Sequence, residues 1–238
     1  NMISLCTVVL SGMEKTWGVL IDSILKKTKL VTEVVIVQVD GEDKEKTWQE
    51  HNVTFKKVNH FLPVGIRLHG HALGLHRGIE LAQNEHVMLC DPDIFFYTNI
   101  DEFYLDVMHK HELNLIGVSH HAATNQSYSY FPCVMNMLVK KKDLPNENFL
   151  KGDLKLRTTI LRNIEGEPDA NSLEDLEGKY LTVGPIPKYI DEFPNKNIRC
   201  HFDVGCNLYL WAKQQDLKWL AFQTLDCHTY TTKYYRSN

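Results

Sequence analysis

Long hydrophobic runs are missing from this 238-residue chain: stretches such as VVIV at 34–37 stop far short of the ~20 apolar residues that a membrane-crossing helix requires. No basic-then-apolar leader opens the sequence either, so a soluble, unexported chain without a membrane span is expected, with Asn1 ahead of Met2 set aside as a remnant. Cysteine is scarce and scattered. The six residues Cys6, Cys90, Cys133, Cys200, Cys206 and Cys227 form no C-x-x-C pair, which excludes a zinc ribbon and a dense disulfide framework and favours a reducing compartment, the cytoplasm. Positive charge is not in excess. Lys plus Arg number 26 against 30 Asp plus Glu, a net charge of -4, so there is no bulk attraction for nucleic acid or anionic lipid. Neither G-x-x-x-x-G-K-[ST] nor a strand-linked G-x-G-x-x-G occurs, which argues against P-loop and dinucleotide sites. Internal repeats and low-complexity tracts are also missing.

What is present is core. With 43% hydrophobic and 24% charged residues the chain can bury a substantial interior, and its length suits one domain. Residues 3–10 (ISLCTVVL) read as a strand covered on both faces, followed by a helix in which Trp17, Leu20, Ile21, Ile24 and Leu25 recur at helical spacing. Residues 34–39 (VVIVQV) repeat the buried-strand pattern and stop at the Asp40-Gly41 turn signal, and 53–58 form a weaker strand after a polar linker. Ala72, Leu75, Ile79 and Ala82 mark a second helix, 86–90 (HVMLC) a short buried strand, and Ile100, Phe103, Tyr104, Val107 and Met108 a third helix. Strands follow at 113–118 and 134–139. The stretch 142–197 is an irregular, proline- and acid-rich excursion holding a helix near 153–162, and strands at 198–202 and 218–222 enclose a helix carrying Leu208, Trp211, Ala212 and Gln215. Strands alternating with helices predict an α/β domain with a mostly parallel central sheet.

Asp91-Pro92-Asp93 is the sharpest chemical feature, because it stands where a buried strand ends. In open α/β sheets ligands gather at the carboxyl ends of strands, and two carboxylates one residue apart can share a divalent cation with a sugar or phosphate oxygen. An Asp-Pro turn capping a helix would be spelled the same way.

Five blocks in order, LCTVVLSG, VVIVQVDG, GHALGLHRGIELAQNEHVMLCDPD, HFDVGCNLYLWA and DCHTY, resemble the nucleotide-sugar-dependent glycosyltransferases of the GT-A fold, and within them the glycan-building transferases of large algal viruses. The resemblance implies a Rossmann-like single domain over 2–238. Its nucleotide-sugar-binding half would be 2–93, and its acceptor-side half 94–238, with the insertion at about 142–197. It also implies a hexosyl- or deoxyhexosyltransferase using a UDP-sugar and a glycan or glycoprotein acceptor, in the host cytoplasm if the chain is viral. By the same resemblance Val9 and Ser11 at the end of the first strand, with Asp40 after the second, hold the base. The Asp40 carboxylate would accept the uracil N3 proton. His69-Gly70-His71 precedes the second helix, so Gly70, His71 and Arg67 can face a diphosphate. His76 has no assigned role. Asp93 would be the direct ligand of Mn²⁺ or Mg²⁺, Asp91 its partner toward the ribose or a metal-bound water, and His228 a returning ligand that tilts the choice to Mn²⁺. Asp203 would be the general base of an inverting transfer, although it can equally cap the helix behind it. Aromatic residues at 127–131, Tyr180 and Trp211 are candidates for holding the acceptor, and one of His120 and His121 could line the donor-sugar pocket.

Three rivals use the same residues differently. A haloacid-dehalogenase-like phosphatase would use Asp91 as nucleophile and Asp93 as acid/base, though its motif belongs after a first strand. A metallohydrolase on His69, His71 and His76 lacks a carboxylate at suitable spacing. A nonenzymatic nucleotide- or sugar-binding domain predicts binding without turnover.

Overall fold

The computed structural model describes residues 2–41, 44–60, 70–119, 131–144, 160–161, 199–200, 208, 211–212, 214–223 and 234–236. Its centre is a nine-stranded sheet, built from β1 (Ile3–Val9), β2 (Val31–Gln38), β3 (Lys46–Glu50), β4 (Val53–Asn59), β5 (His86–Cys90), β6 (Leu115–Ser119), β7 (Pro132–Lys140), β10 (Trp219–Gln223) and β11 (Tyr234–Arg236). The spatial order is β11-β10-β6-β7-β5-β1-β2-β4-β3. Parallel pairing joins β1 to β2 and β5, β2 to β4, and β6 to β10, while β3, β7 and β11 each run antiparallel to their neighbours. Six strands therefore point one way and three the other, the mostly parallel sheet expected.

The uninterrupted apolar strands follow from the layers. Alternate residues of β1 and β2 serve opposite faces. Leu5, Val34 and Ile36 pack with Leu20 and Ile24 of α1 (Glu14–Lys27) and with Tyr104, Leu105 and Met108 of α3 (Ile100–Lys110). Cys6, Val35 and Val37 pack instead with Ala72, Leu75 and Ile79 of α2 (Gly70–Leu81) and with Leu208 and Ala212 further on. A strand covered on both sides has no polar positions to alternate with. Each fully buried Leu or Ile contributes on the order of 1.5–3 kcal/mol, so these two layers dominate the fold's stability.

Several expectations shift. The edge strand β3 lies in what reads as a polar linker: KTWQE is exposed except at Trp48, which stacks on Phe55 of β4 at 5.0 Å. Lysine on a sheet edge also discourages further pairing. β6 starts at Leu115 rather than at 113, and β11 adds a last antiparallel edge with no sequence cue. At the end of the helix expected over 153–162, Ile160–Leu161 (β8) is instead a strand paired antiparallel with Arg199–Cys200 (β9) in a separate two-stranded sheet. Residues 153–159 lie outside the described part. Among the described residues Cys6, Cys90 and Cys133 are buried and none of them is in a disulfide, and no helix is long and apolar enough to cross a membrane.

One polar tie was invisible in the sequence. Asp101, fully buried in the first turn of α3, accepts the backbone N–H groups of Lys29 at 2.7 Å and Leu30 at 2.6 Å, locking α3 to the turn between α1 and β2.

Candidate functional site

The chain runs outward from β1 through β2 to β4 and then returns to place β5 on the other side of β1. The strand order thus reverses beside β1. At such a point the two connections diverge and leave a crevice beyond the carboxyl ends of the strands. Here the crevice is a cleft of ≈ 380 Å³, within the size range of small-ligand sites. Its walls are Val8, Val9 and Leu10 from the end of β1, Met13 before α1, Val39 after β2, Gly70 and His71 from α2, and Asp91, Pro92 and Asp93 after β5.

Helix α2 can approach this closely because of its glycines. A Cβ on Gly74 would lie 2.7 Å from Val8 Cγ2 and 2.9 Å from Val39 Cγ1, so only a residue without one lets the helix rest on β1 and β2. The four-residue spacing of Gly70, Gly74 and Gly78 is the sequence signal for this contact. Gly70 and His71 do not precede the helix but occupy its first turn, where backbone N–H groups lack helical acceptors and the first turn carries no acidic side chain. That end of α2 therefore suits an anion.

Asp91 leaves the sheet with its N–H donated to the Met135 carbonyl at 2.9 Å, and its own carbonyl accepts the Ile94 N–H at 3.3 Å, closing a turn. This sets its carboxylate against α2. Asp91 Oδ1 lies 3.1 Å from His71 Nε2, with the two side chains 23% and 32% exposed. Both atoms are buried, yet they are not aligned as a hydrogen bond, so each keeps capacity for another partner. Asp93 stands exposed at the rim of the same cleft.

Ser11 and Asp40 follow the same two strand ends, next to the wall residues Leu10 and Val39. Ser11 donates its N–H to Asp40 Oδ1 and its hydroxyl to Oδ2, both at 2.7 Å, and Gln38 Nε2 donates to the Asp40 carbonyl at 2.5 Å. Gly41 completes the turn at φ 76°, where a Cβ would sit 2.9 Å from Gln38 Nε2 and 3.1 Å from Ser11 Oγ. Gln38, Met13 and Gly74 were not singled out by sequence reasoning, since their roles depend on β1 and β2 ending side by side.

The structure brings Val9, Gly70, His71, Asp91 and Asp93 around one cleft and clamps Ser11 to Asp40 at the ends of the same strands. Arg67, Asp203 and His228 lie outside the described residues, as do His69, His120, His121, the 127–130 aromatics and Tyr180. Trp211 is turned elsewhere, its indole N–H donating to the Asp143 carbonyl at 3.0 Å.

Among the described residues no three His, Cys, Asp or Glu side chains converge as a metal cluster. The donor set nevertheless fits a hard octahedral cation. Such an ion commonly takes one or two carboxylates and completes its shell with phosphate and water, and adjacent ligands at ~2.1 Å from it lie about 3 Å apart, the spacing of Asp91 Oδ1 and His71 Nε2.

No protein-family model matches the chain, and no curated protein matches it in sequence. Among solved structures it resembles the mannosyltransferase PcManGT from Pyrobaculum calidifontis in complex with GDP-Man and Mn²⁺, at 12% identity and a TM-score of 0.43, over 60% of this chain and 45% of that one. It also resembles residues 1–349 of S. aureus TarS, at 13% identity and a TM-score of 0.44, over 60% and 48% of the two chains. The same TarS segment in complex with UDP gives 13% identity, a TM-score of 0.45, and coverage of 64% and 52%. The chain spans about half the length of these structures.

Proposed function

We propose that this chain carries the donor site of a metal-dependent glycosyltransferase of GT-A type, moving a sugar from a UDP-sugar to a hydroxyl of a glycan or glycoprotein acceptor. One observation carries the reading: Asp91-Pro92-Asp93 closes a cleft at the strand-order reversal beside β1, facing the first turn of α2. A nucleoside diphosphate has the matching chemistry. Its base would lie by Ser11 and Asp40, where the carboxylate, held by two Ser11 bonds, retains lone pairs for an N–H donor. Its diphosphate would lie toward Gly70, His71 and Arg67. Asp91 and Asp93 would hold Mn²⁺ or Mg²⁺, with His71 beside them and His228 returning from the C-terminal segment. When bound, the cation supplies charge stabilisation to the departing diphosphate. Asp203 would remove the proton from the acceptor hydroxyl as that oxygen attacks the anomeric carbon, which inverts its configuration.

No observation favours the phosphatase reading, whose aspartate pair would follow a first strand rather than the fifth. Calorimetry of UDP binding in Mn²⁺ and in excess chelator tests the proposal. UDP should bind in Mn²⁺ and lose most of its affinity in chelator, whereas equal affinity in both would remove the cation from the site.

A further inference from the structure

Six large apolar side chains stand exposed among the described residues, and three of them, Phe95, Tyr97 and Phe103, are aromatics within nine positions of one another, directly after the aspartate pair. Phe103 leans on Phe222 with ring centroids 5.6 Å apart. Phe95 and Tyr97 are held differently. Between them Phe96 is 3% exposed and, with the partly buried Ile94, packs into the core under α1 and α3. That anchor directs the residues on either side of Phe96 outward, leaving Phe95 45% and Tyr97 82% exposed. The two rings meet edge to face, centroids 4.7 Å apart and planes at 69°, so they form an open aromatic corner held in place from below. An extended chain spans at most ~3.6 Å per residue, which puts Phe95 within about 7 Å and Tyr97 within about 14 Å of Asp93, measured between Cα atoms.

We propose that Phe95 and Tyr97 are a stacking subsite for a neutral pyranose ring, the acceptor sugar next to the donor cleft. That it is the acceptor rests on the transferase reading above. A pyranose ring presents a face of C–H groups that packs on an aromatic ring, while its hydroxyls stay free for polar partners and for reaction. The charge around the corner selects a neutral occupant. From 91 to 109 the chain has no Lys or Arg; Asp101 is buried and Glu102 pairs with Lys29 at 3.0 Å, but Asp93 and Asp106 stand exposed, and their charge repels phosphate-rich surfaces such as an anionic bilayer.

Saturation-transfer NMR of the full chain with methyl β-glucopyranoside, methyl β-galactopyranoside and methyl α-mannopyranoside, beside calorimetry of UDP with Mn²⁺, tests this. At least one saccharide should show transfer confined to the C–H protons of one ring face. Its affinity should fall about tenfold in Phe95→Ala and Tyr97→Ala, and stay within about twofold in Tyr97→Phe, which keeps the ring. UDP affinity should hold in all three variants. Absence of any saccharide signal, or an undiminished signal in the double alanine variant, overturns the subsite. A fall in UDP affinity parallel to the saccharide loss overturns it too, by showing that the rings only support the fold. Ring-dependent sedimentation with phosphatidylcholine vesicles in place of saccharide binding overturns it in favour of a membrane surface. Ring-dependent saccharide binding by a chain that does not bind UDP upholds the pyranose subsite and overturns the donor reading instead.

Discussion

Asp91 and Asp93 are separated by one proline, yet the fold places them differently. Asp91 has its N–H on β7 and its carboxylate against His71, whereas Asp93 is exposed at the cleft rim, free to turn toward a ligand. Asp93→Ala should therefore abolish Mn²⁺-dependent UDP binding. His228→Ala should weaken it less, since water can replace one ligand of an octahedral ion. Mn²⁺ titration in the presence of UDP separates the two, and a wild-type curve for His228→Ala would remove that residue from the site. Asp203→Asn keeps size and helix-capping ability but cannot take the acceptor proton. It should leave UDP affinity intact while turnover falls ~10²–10⁴-fold. Near-normal turnover, or a product retaining the donor's anomeric configuration, would send the search for the base elsewhere. At this scale the sequence showed residue types but not partners: nothing around Ser11 indicates that both of its donors are spent on a carboxylate 29 positions away.

Among the elements, α2 sets the width of the cleft, and its glycines set the position of α2. Gly74→Ala would drive a Cβ into Val8 and Val39, forcing the helix off the sheet at a cost of about 1–3 kcal/mol and pulling Gly70 and His71 away from Asp91. Gly18, on α1, has no atom within 4 Å of where its Cβ would be, so Gly18→Ala should stabilise by up to ~1 kcal/mol through helix propensity. Urea unfolding of the two variants checks the contrast, and a stable Gly74→Ala protein with unchanged UDP affinity would show that α2 tolerates displacement. Helix periodicity revealed α1, α2 and α3 because each buries one stripe. Strands β3 and β11 escaped for the opposite reason. An exposed or three-residue edge strand buries too little to pattern its sequence and exists because a neighbour offers hydrogen bonds.

For the molecule as a whole, stability should fall in two stages as pH drops. His86, 3% exposed at the start of β5, is held below its ordinary value of 6.5, first by burial and further by His109 and Lys140 against the opposing pull of Glu85. Its protonation is resisted in the folded state, so stability declines as pH falls below about 6.5. Glu33 is 4% exposed. Burial alone would raise its carboxyl, but bonds from Lys56, Ser4 and the Gln83 N–H outweigh burial and hold it below the ordinary 4.5. Its contribution is full above about pH 4.5 and is lost as pH falls through the lowered value. Glu33→Gln should remove the lower stage and His86→Phe the upper one in unfolding midpoints followed between about pH 3 and pH 8. A lower stage that persists in Glu33→Gln would assign it to other carboxylates. The network around Glu33 joins positions 4, 33, 56, 83 and 84, and the sequence of β2, VTEVVIVQ, shows the carboxylate but none of the partners that hold it. By itself the sequence determined the buried strands β1, β2 and β5 and the helices α1, α2 and α3, and that an aspartate pair ends a buried strand, because burial imposes a local period and a turn has local chemistry. Only the tertiary structure decided that β5 returns beside β1, that α2 rests on both β1 and β2, and that Asp91 meets His71 across a cleft. Those relations are set by which distant surfaces bury each other, and no local pattern encodes them.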